Sequence, residues 1–349
     1  MRLRHMLPGL LLPAGLCLWM TSCGRQGPKA PPPVPVENPA QGKIGVIFDT
    51  DANNELDDQH ALAYLLMNGS VFDLKGVTVN ATVNGGGIDG HYREAERVLQ
   101  LCNRAGKIPL LKGADGNFAE ISAGFDPGHF DGQEAVDFIL DQTRTDSVVI
   151  VAVGKLTNIA LALKKDPELA ARTRVVWLGS NYPAPGEYNQ DNDTLAMNYV
   201  LHSPIPFEMV TVRFGEPSGT AAVYVTQQEI NEKMPGLGPQ AEVPVTGRHG
   251  GTFENFGDYS VSLFEHIDYH SDPPSRPLFD MVAVAVLKNP AWGQRRQHPA
   301  PVLIANQWKE QPQNPRQIAI WEYFDREALL ADFFESLSRP NLVTATPLP

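Results

Sequence analysis

Residues 43–68 read KIGVIFDTDANNELDDQHALAYLLMN. The opening run, 43–49, is short, apolar and rich in β-branched residues, which predicts a buried strand. Residues 57–68 carry apolar side chains at helical spacing, and Gly69 is a natural stop. Between the two, Asp49, Asp51, Glu55, Asp57 and Asp58 crowd the passage from strand to helix. The alternation continues outward. Strands are predicted over 72–80, 108–112, 147–153, 175–179 and 207–212, with helices over 90–105, 132–143, 157–165 and 194–202. This spacing predicts a single α/β domain: an open, mostly parallel sheet with helices on both faces. In such sheets ligands bind at the carboxyl ends of the strands. Residues 215–279 read as irregular, rich in polar and aromatic side chains. A helix over 280–288, strands near 301–305 and 316–322, and a helix over 326–337 follow. The folded domain is expected over 43–340, with 341–349 as a loose tail.

Composition narrows the function. Of 349 residues, 42% are apolar and 19% charged, enough for a core and unlike a disordered chain. A net charge of −12 argues against a general nucleic-acid binder and favours a small ligand, or a metal that wants carboxylates. No apolar run reaches the roughly 18–20 residues of a spanning helix. The N-terminus instead reads as a targeting segment: Arg2 and Arg4, a short apolar stretch to Met20, then Thr21-Ser22-Cys23. Small residues before a cysteine resemble the lipobox of bacterial lipoproteins, although leucine is commoner than Met20 at its position. The resemblance implies a signal peptide over 1–22, cleavage before Cys23 and a lipid on that cysteine. A proline-rich, extended tether is expected over 23–42. The expected address is the bacterial cell envelope, periplasmic or cell-surface side, with membrane contact only through the lipid. Cys17 would be removed and Cys23 acylated, so Cys102 would be left without an intramolecular disulfide partner.

The acidic cluster has two readings. Asp57 and Asp58 suit a helix start, where the dipole favours each by about 0.3–1 kcal/mol. Capping leaves Asp49 and Asp51, at the strand end, without a role. Carboxylates that converge repel one another unless a cation lies between them, and hard oxygen ligands favour calcium or magnesium.

Asp49-Thr50-Asp51 followed by Asp57-Asp58 resembles the signature of the inosine-uridine-preferring nucleoside hydrolases. Gly154-Lys155-Leu156-Thr157-Asn158-Ile159-Ala160 is similar to that family's Gly-Pro-Leu-Thr-Asn-Ile-Ala turn, with Lys155 in place of proline. Glu187-Tyr188-Asn189 resembles its Glu-Phe-Asn, and residues 280–285 resemble the segment after its last metal aspartate. The motifs together span roughly 43–340. Haloacid-dehalogenase phosphatases also place a DxD after a first strand, but normally continue with Gly-Thr or a similar pair, which Ala52-Asn53 is not.

The resemblance implies an open α/β fold, a calcium ion, and hydrolysis of the N-glycosidic bond of ribonucleosides, with a place in purine and pyrimidine salvage. It implies that Asp51, Asp58 and Asp280 chelate calcium with side chains and Thr157 with its carbonyl, and that Asp51 takes the proton of the attacking water. Asp57, Asn189 and Asp280 would hold the ribose 2′- and 3′-hydroxyls, and Glu187 and Asn181 the 5′ end. Asn84, or alternatively Asn80, would match a ribose-side asparagine. The small molecule is expected to be a ribonucleoside or a related N-riboside. A homo-oligomer stays open, as does a non-catalytic sugar-binding lipoprotein.

Structural roles stay open beside these. Thr157, Asn158 and Asp280 could cap their helices, and Glu187-Tyr188-Asn189 could be an ordinary polar loop. His60 is expected on a helix surface. Phe253, Phe256, Tyr259, Phe264 and Tyr269 suit the core face of an amphipathic helix. Three departures stand out. Five residues separate Asp51 from the Asp pair where the family has three, the family's Pro-Gly is missing there, and Phe279 replaces the histidine often found before the last aspartate. A leaving-group donor, or an aromatic ring that stacks on the base, is therefore sought in 244–275, where His249, His266 and His270 lie together with several aromatics.

Overall fold

The computed structural model describes residues 42–344. The expected signal peptide, Cys23 and nearly all of the expected tether lie outside the described residues. The chain alternates as expected: β1 (Ile44–Thr50), α1 (Asp57–Leu66), β2 (Phe72–Val79), α2 (Ile88–Leu101) and β3 (Leu110–Lys112). After α3 (Phe118–Ala123) and α4 (Gln133–Thr145) come β4 (Val148–Ala152), α5 (Thr157–Lys165), β5 (Thr173–Leu178), α6 (Tyr188–Asn192), α7 (Thr194–His202) and β6 (Phe207–Val210). Residues 215–279 are less irregular than expected. They hold β7 (Tyr224–Thr226), α8 (Gln227–Lys233), β8 (Val245–Thr246), β9 (Thr252–Phe253), α9 (Phe256–Glu265) and β10 (Ser275–Pro277). The chain continues through α10 (Met281–Lys288), β11 (Gln294–Pro299), β12 (Val302–Ile304), β13 (Gln307–Lys309), β14 (Gln317–Glu322) and α11 (Arg326–Ser338).

Eight strands form one sheet in the order β11-β14-β6-β5-β4-β1-β2-β3. It is parallel except for β11, which runs antiparallel to β14 at the edge. The sequence Gln-Arg-Arg-Gln-His-Pro of β11 has no apolar alternation, which is why the strand was not legible. β1 pairs with β2 on one side and β4 on the other, so strand order reverses beside it. That reversal opens a crevice at the carboxyl ends.

The period-two pattern of β1 feeds both faces. Val46 and Phe48 enter a core with α1, α10 and α11, and Ile47 enters the opposite core with α4, α5 and α7. Every residue of α1 is buried, because α2, α10 and α11 surround it. His60 is accordingly not on a helix surface. It is fully buried, its Nδ1 2.5 Å from Leu56 O and its Nε2 2.7 Å from Ser260 Oγ, with Phe256 and Phe264 edge-on to its ring. Burial pushes its pKa down to about 4. Phe256, Tyr259 and Phe264 are core residues of α9, as their spacing suggests.

The expected loose tail is packed where it begins. Val343 is fully buried, and its N–H donates to Leu66 O at 2.8 Å. Gly69 N–H donates to Asn341 O, and a Cβ on Gly69 would lie 2.5 Å from the Leu342 backbone. Gly69 thus does more than stop a helix: its missing side chain is the space in which the tail docks. Residues 345–349 lie outside the described residues.

Candidate active site

A cavity of about 770 Å³ opens at the carboxyl ends of β1, β4, β5 and β6. Val153, Leu178 and Val212, at or just beyond the ends of β4, β5 and β6, line it. Residues 54–58 form one wall, Glu187, Tyr188 and Asn189 another, and the 214–217 and 270–280 segments its outer rim.

Because α1 and α10 pack side by side, their starts meet. Asp57, Asp58 and Asp280 place carboxylate oxygens within 4.8 Å of one another, all buried. None caps a helix: Leu56 is the cap residue of α1, and Asp280 makes no capping bond to α10. Burial first, then the charges of neighbouring carboxylates, holds all three well above the usual carboxylate range. Arg276 offsets part of this at Asp57.

Asp51 lies behind this trio. Its Oδ2 accepts from Asn54 Nδ2 at 2.6 Å and Thr82 Oγ1 at 2.7 Å, while His91 Nδ1 holds its backbone carbonyl at 2.6 Å. Its Oδ1 is buried with no partner. Gly154 makes room for that oxygen, since a Cβ there would lie 2.9 Å from it. Burial pushes Asp51 up to about 7, and the charge of Asp57 acts in the same direction. Four buried carboxylates offering only oxygen, one with an orphaned acceptor, fit a hard divalent cation and no soft one.

The other expected residues separate into two groups. Asn189 donates to Val153 O at 2.7 Å and Leu178 O at 3.2 Å, which leaves its amide oxygen for a ligand in the cavity it lines. Glu187 lines the cavity and also caps α6, accepting the N–H groups of Ser180, Asn189 and Gln190. Asn84 lines the cavity. Asn80 instead donates to Asp49 Oδ1 at 2.8 Å, and its own Oδ1 is buried with no partner. Asn181 and Thr157 are not on the cavity wall. Asn181 Oδ1 accepts Phe214 N–H at 2.7 Å and so braces the rim. Thr157 is buried at the start of α5, where its hydroxyl donates to Asp193 Oδ2 at 2.6 Å and caps nothing. Asp49 is a structural hub: Thr78, Asn80 and Asn158 all donate to it. Of the three histidines, His270 lines the cavity. His249 and His266 stack on each other, ring centroids 4.4 Å apart, in a separate surface hollow.

Sequence reasoning missed Asn54, Thr82, His91, Phe214 and Arg276. Asn54 had a signal in the lengthened loop. Thr82, His91 and Arg276 had none, since each acts through a contact with residues distant in the chain.

Residues 46–331 match the family model described as inosine-uridine preferring nucleoside hydrolase. An uncharacterized protein of Schizosaccharomyces pombe is 31% identical over 211 residues, 53% of this chain and 66% of that protein. A probable uridine nucleosidase 2 of Oryza sativa subsp. japonica is 28% identical over 228 residues, 56% of this chain and 63% of that protein. The chain thus spans slightly under two-thirds of the length of these relatives. A plant nucleoside hydrolase of known structure superposes with a TM-score of 0.66 at 16% identity, covering 86% of this chain and 100% of that one. At that identity the likeness speaks for the fold.

Proposed function

We propose a function from one premise: the chain belongs to the inosine-uridine preferring nucleoside hydrolase family. The reading is calcium-dependent hydrolysis of the N-glycosidic bond of ribonucleosides, giving ribose and free base. The observation that carries it is the buried meeting of Asp57, Asp58 and Asp280 on the wall of a cavity roomy enough for a nucleoside, with the unpartnered Asp51 Oδ1 near them.

Cleavage of a C1′–N bond builds positive charge on the ribose ring, and the carboxylates of this site favour that charge. Asp51, Asp58 and Asp280 would hold calcium; Thr157, off the cavity wall, is left out of that set. When bound, calcium supplies fixed positive charge that orients the ribose diol and eases deprotonation of water. Asp57, Asp280 and the Asn189 amide oxygen accept from the 2′- and 3′-hydroxyls. Glu187 accepts from the 5′-hydroxyl, and Asn84 closes the ribose side. Asp51 Oδ1, lacking any other donor, takes the proton of the attacking water. Phe279 and Phe214, ring centroids 5.7 Å apart and edge to face, offer an apolar surface to the base.

Assay of base release from a ribonucleoside panel, with calcium and then with chelator, tests the reading. Release that calcium restores after chelation is expected. No release from any riboside removes the hydrolase reading and leaves a sugar-binding protein.

His270, the one of the three that lines the cavity, is the proposed leaving-group donor. His270→Ala is expected to lower turnover of natural nucleosides by about 10²-fold or more. Turnover of p-nitrophenyl riboside, whose leaving group needs no proton, should fall far less. His249→Ala and His266→Ala should leave both unchanged. A selective loss at either of those positions places the donor elsewhere.

The sequence over residues 1–23 supports a lipid-anchored protein of the bacterial envelope. Mass spectrometry of the native N-terminus should find an acylated Cys23. An unmodified chain beginning at Met1 removes that proposal.

A further inference from the structure

Where the resembled motif reads Glu-Phe-Asn, this chain reads Glu187-Tyr188-Asn189, so a phenol stands in place of a plain ring. Tyr188 opens α6 and lines the cavity. Its hydroxyl oxygen accepts the backbone N–H of Asn84 at 3.1 Å, across 104 positions of the chain. Asn192, one turn further along α6, accepts the N–H of Val83 at 2.9 Å, and its own amide donates to Tyr188 O at 2.9 Å. Two side chains of one short helix thus take two successive amides of the segment that leaves β2.

That segment has little else to hold it. Val83 is 81% exposed, so packing does not fix its side chain. Gly85, Gly86 and Gly87 follow with φ of 108°, 79° and 76°, and glycines lose the most freedom when a conformation is imposed. Beyond α6, Asn53 of the lengthened loop donates to Gly85 O at 2.7 Å. What the segment carries belongs to the site. Thr82 donates to Asp51 Oδ2 at 2.7 Å, and Asn84 lines the cavity. Holding Oδ2 aims Oδ1, the oxygen without a partner. Burial holds the Tyr188 phenol above its ordinary pKa, against the polar contacts of Thr82, the Asn84 N–H and Asn54, so it stays protonated at neutral pH. A neutral phenol oxygen accepts an N–H and keeps its own hydrogen to donate. A phenylalanine would fill the same space and leave the Asn84 N–H to water.

We propose that Tyr188 is a positioning residue: its hydroxyl ties the 82–84 segment to α6, and through Thr82 it keeps the Asp51 carboxylate aimed. It acts through that segment and need not touch the reacting atoms. This rests on the N-riboside hydrolase reading above. The test compares wild type, Tyr188→Phe, Thr82→Val and the double variant in excess calcium, by kcat and KM on inosine and uridine and by amide hydrogen exchange. Tyr188→Phe removes one oxygen and keeps the ring, so the melting temperature should barely move. Its kcat should fall about tenfold, the scale of one net hydrogen bond, while KM changes less. Thr82→Val should cost at least as much. Because both changes reach the same carboxylate, the double variant should be no slower than Thr82→Val by more than about twofold. Exchange at the Val83 and Asn84 amides should quicken about tenfold in Tyr188→Phe, with the β1 amides unchanged. Wild-type kcat in Tyr188→Phe, a loss confined to KM, losses that multiply in the double variant, or unchanged exchange at 83–84 each overturn the proposal and leave the hydrolase reading standing. A wild type that cleaves no riboside overturns the hydrolase reading and this proposal with it.

Discussion

Asp51→Asn is expected to abolish base release while leaving the fold intact. The two oxygens of Asp51 differ. Oδ2 is fixed by donors from Asn54 and Thr82, and Oδ1 is buried with none. An asparagine satisfies those donors by placing its carbonyl oxygen at the Oδ2 position. Its amide nitrogen must then occupy the Oδ1 position, where it presents hydrogens to a water that needs an acceptor. The volume is almost unchanged, so Gly154, whose missing Cβ leaves room for that atom, need not move. Loss of a general base typically costs about 10²–10⁴-fold in rate. The weakened cation site adds to that loss, so the variant should lie at or below the assay floor on every nucleoside. Circular dichroism and melting in excess calcium check that the fold persists. Wild-type turnover in this variant would take the base role away from Asp51.

The parts of this molecule legible in sequence are those written locally. The strand 44–50 and the helix after it announce themselves by apolar run and helical period, and the same holds for most of the parallel sheet. The acidic passage between them was legible as a cation site because carboxylates at a strand end have no capping role. Asp49 shows where that reasoning stops. It looked like its neighbour two residues on, yet it still lies within β1, where its carboxylate is taken up by three donors that tie β1 to β2 and α5, whereas Asp51 stands just past the strand end. The pairing of Glu55 with Arg276 spans 221 positions, and no periodicity in either segment points to it. His60 and the 341–343 segment were misjudged for a related reason. A histidine at one helix position is polar by composition, but α1 is enclosed on all sides, so tertiary packing decides its burial.

Removal of the cation should destabilise the protein, and the sign of one substitution should depend on whether the cation is there. Asp57, Asp58 and Asp280 are each at least 93% buried by exposures of 7%, 1% and 2%. Without a cation, each pays for desolvation and for its neighbours' charge, which is why all three are held well above the ordinary carboxylate range. A bound cation removes both costs together. A ligand at one hundred times its Kd stabilises the folded state by about 2.7 kcal/mol, which for a domain of this size is roughly a 5–10 °C rise in Tm. Calcium should give that rise, and a chelator should reverse it. Asp280→Asn removes one charge from the cluster without changing its shape. In saturating calcium it deletes a ligand, so the variant should melt below wild type. In chelator it relieves the repulsion from Asp57, Asp58 and Asp51, so the same variant should melt above wild type. A surface change cannot produce that crossing, because its effect does not depend on the cation. If Tm is indifferent to calcium and chelator, metal analysis finds nothing bound, and Asp280→Asn shifts Tm the same way in both conditions, these carboxylates hold no cation and the proposed chemistry loses its centre.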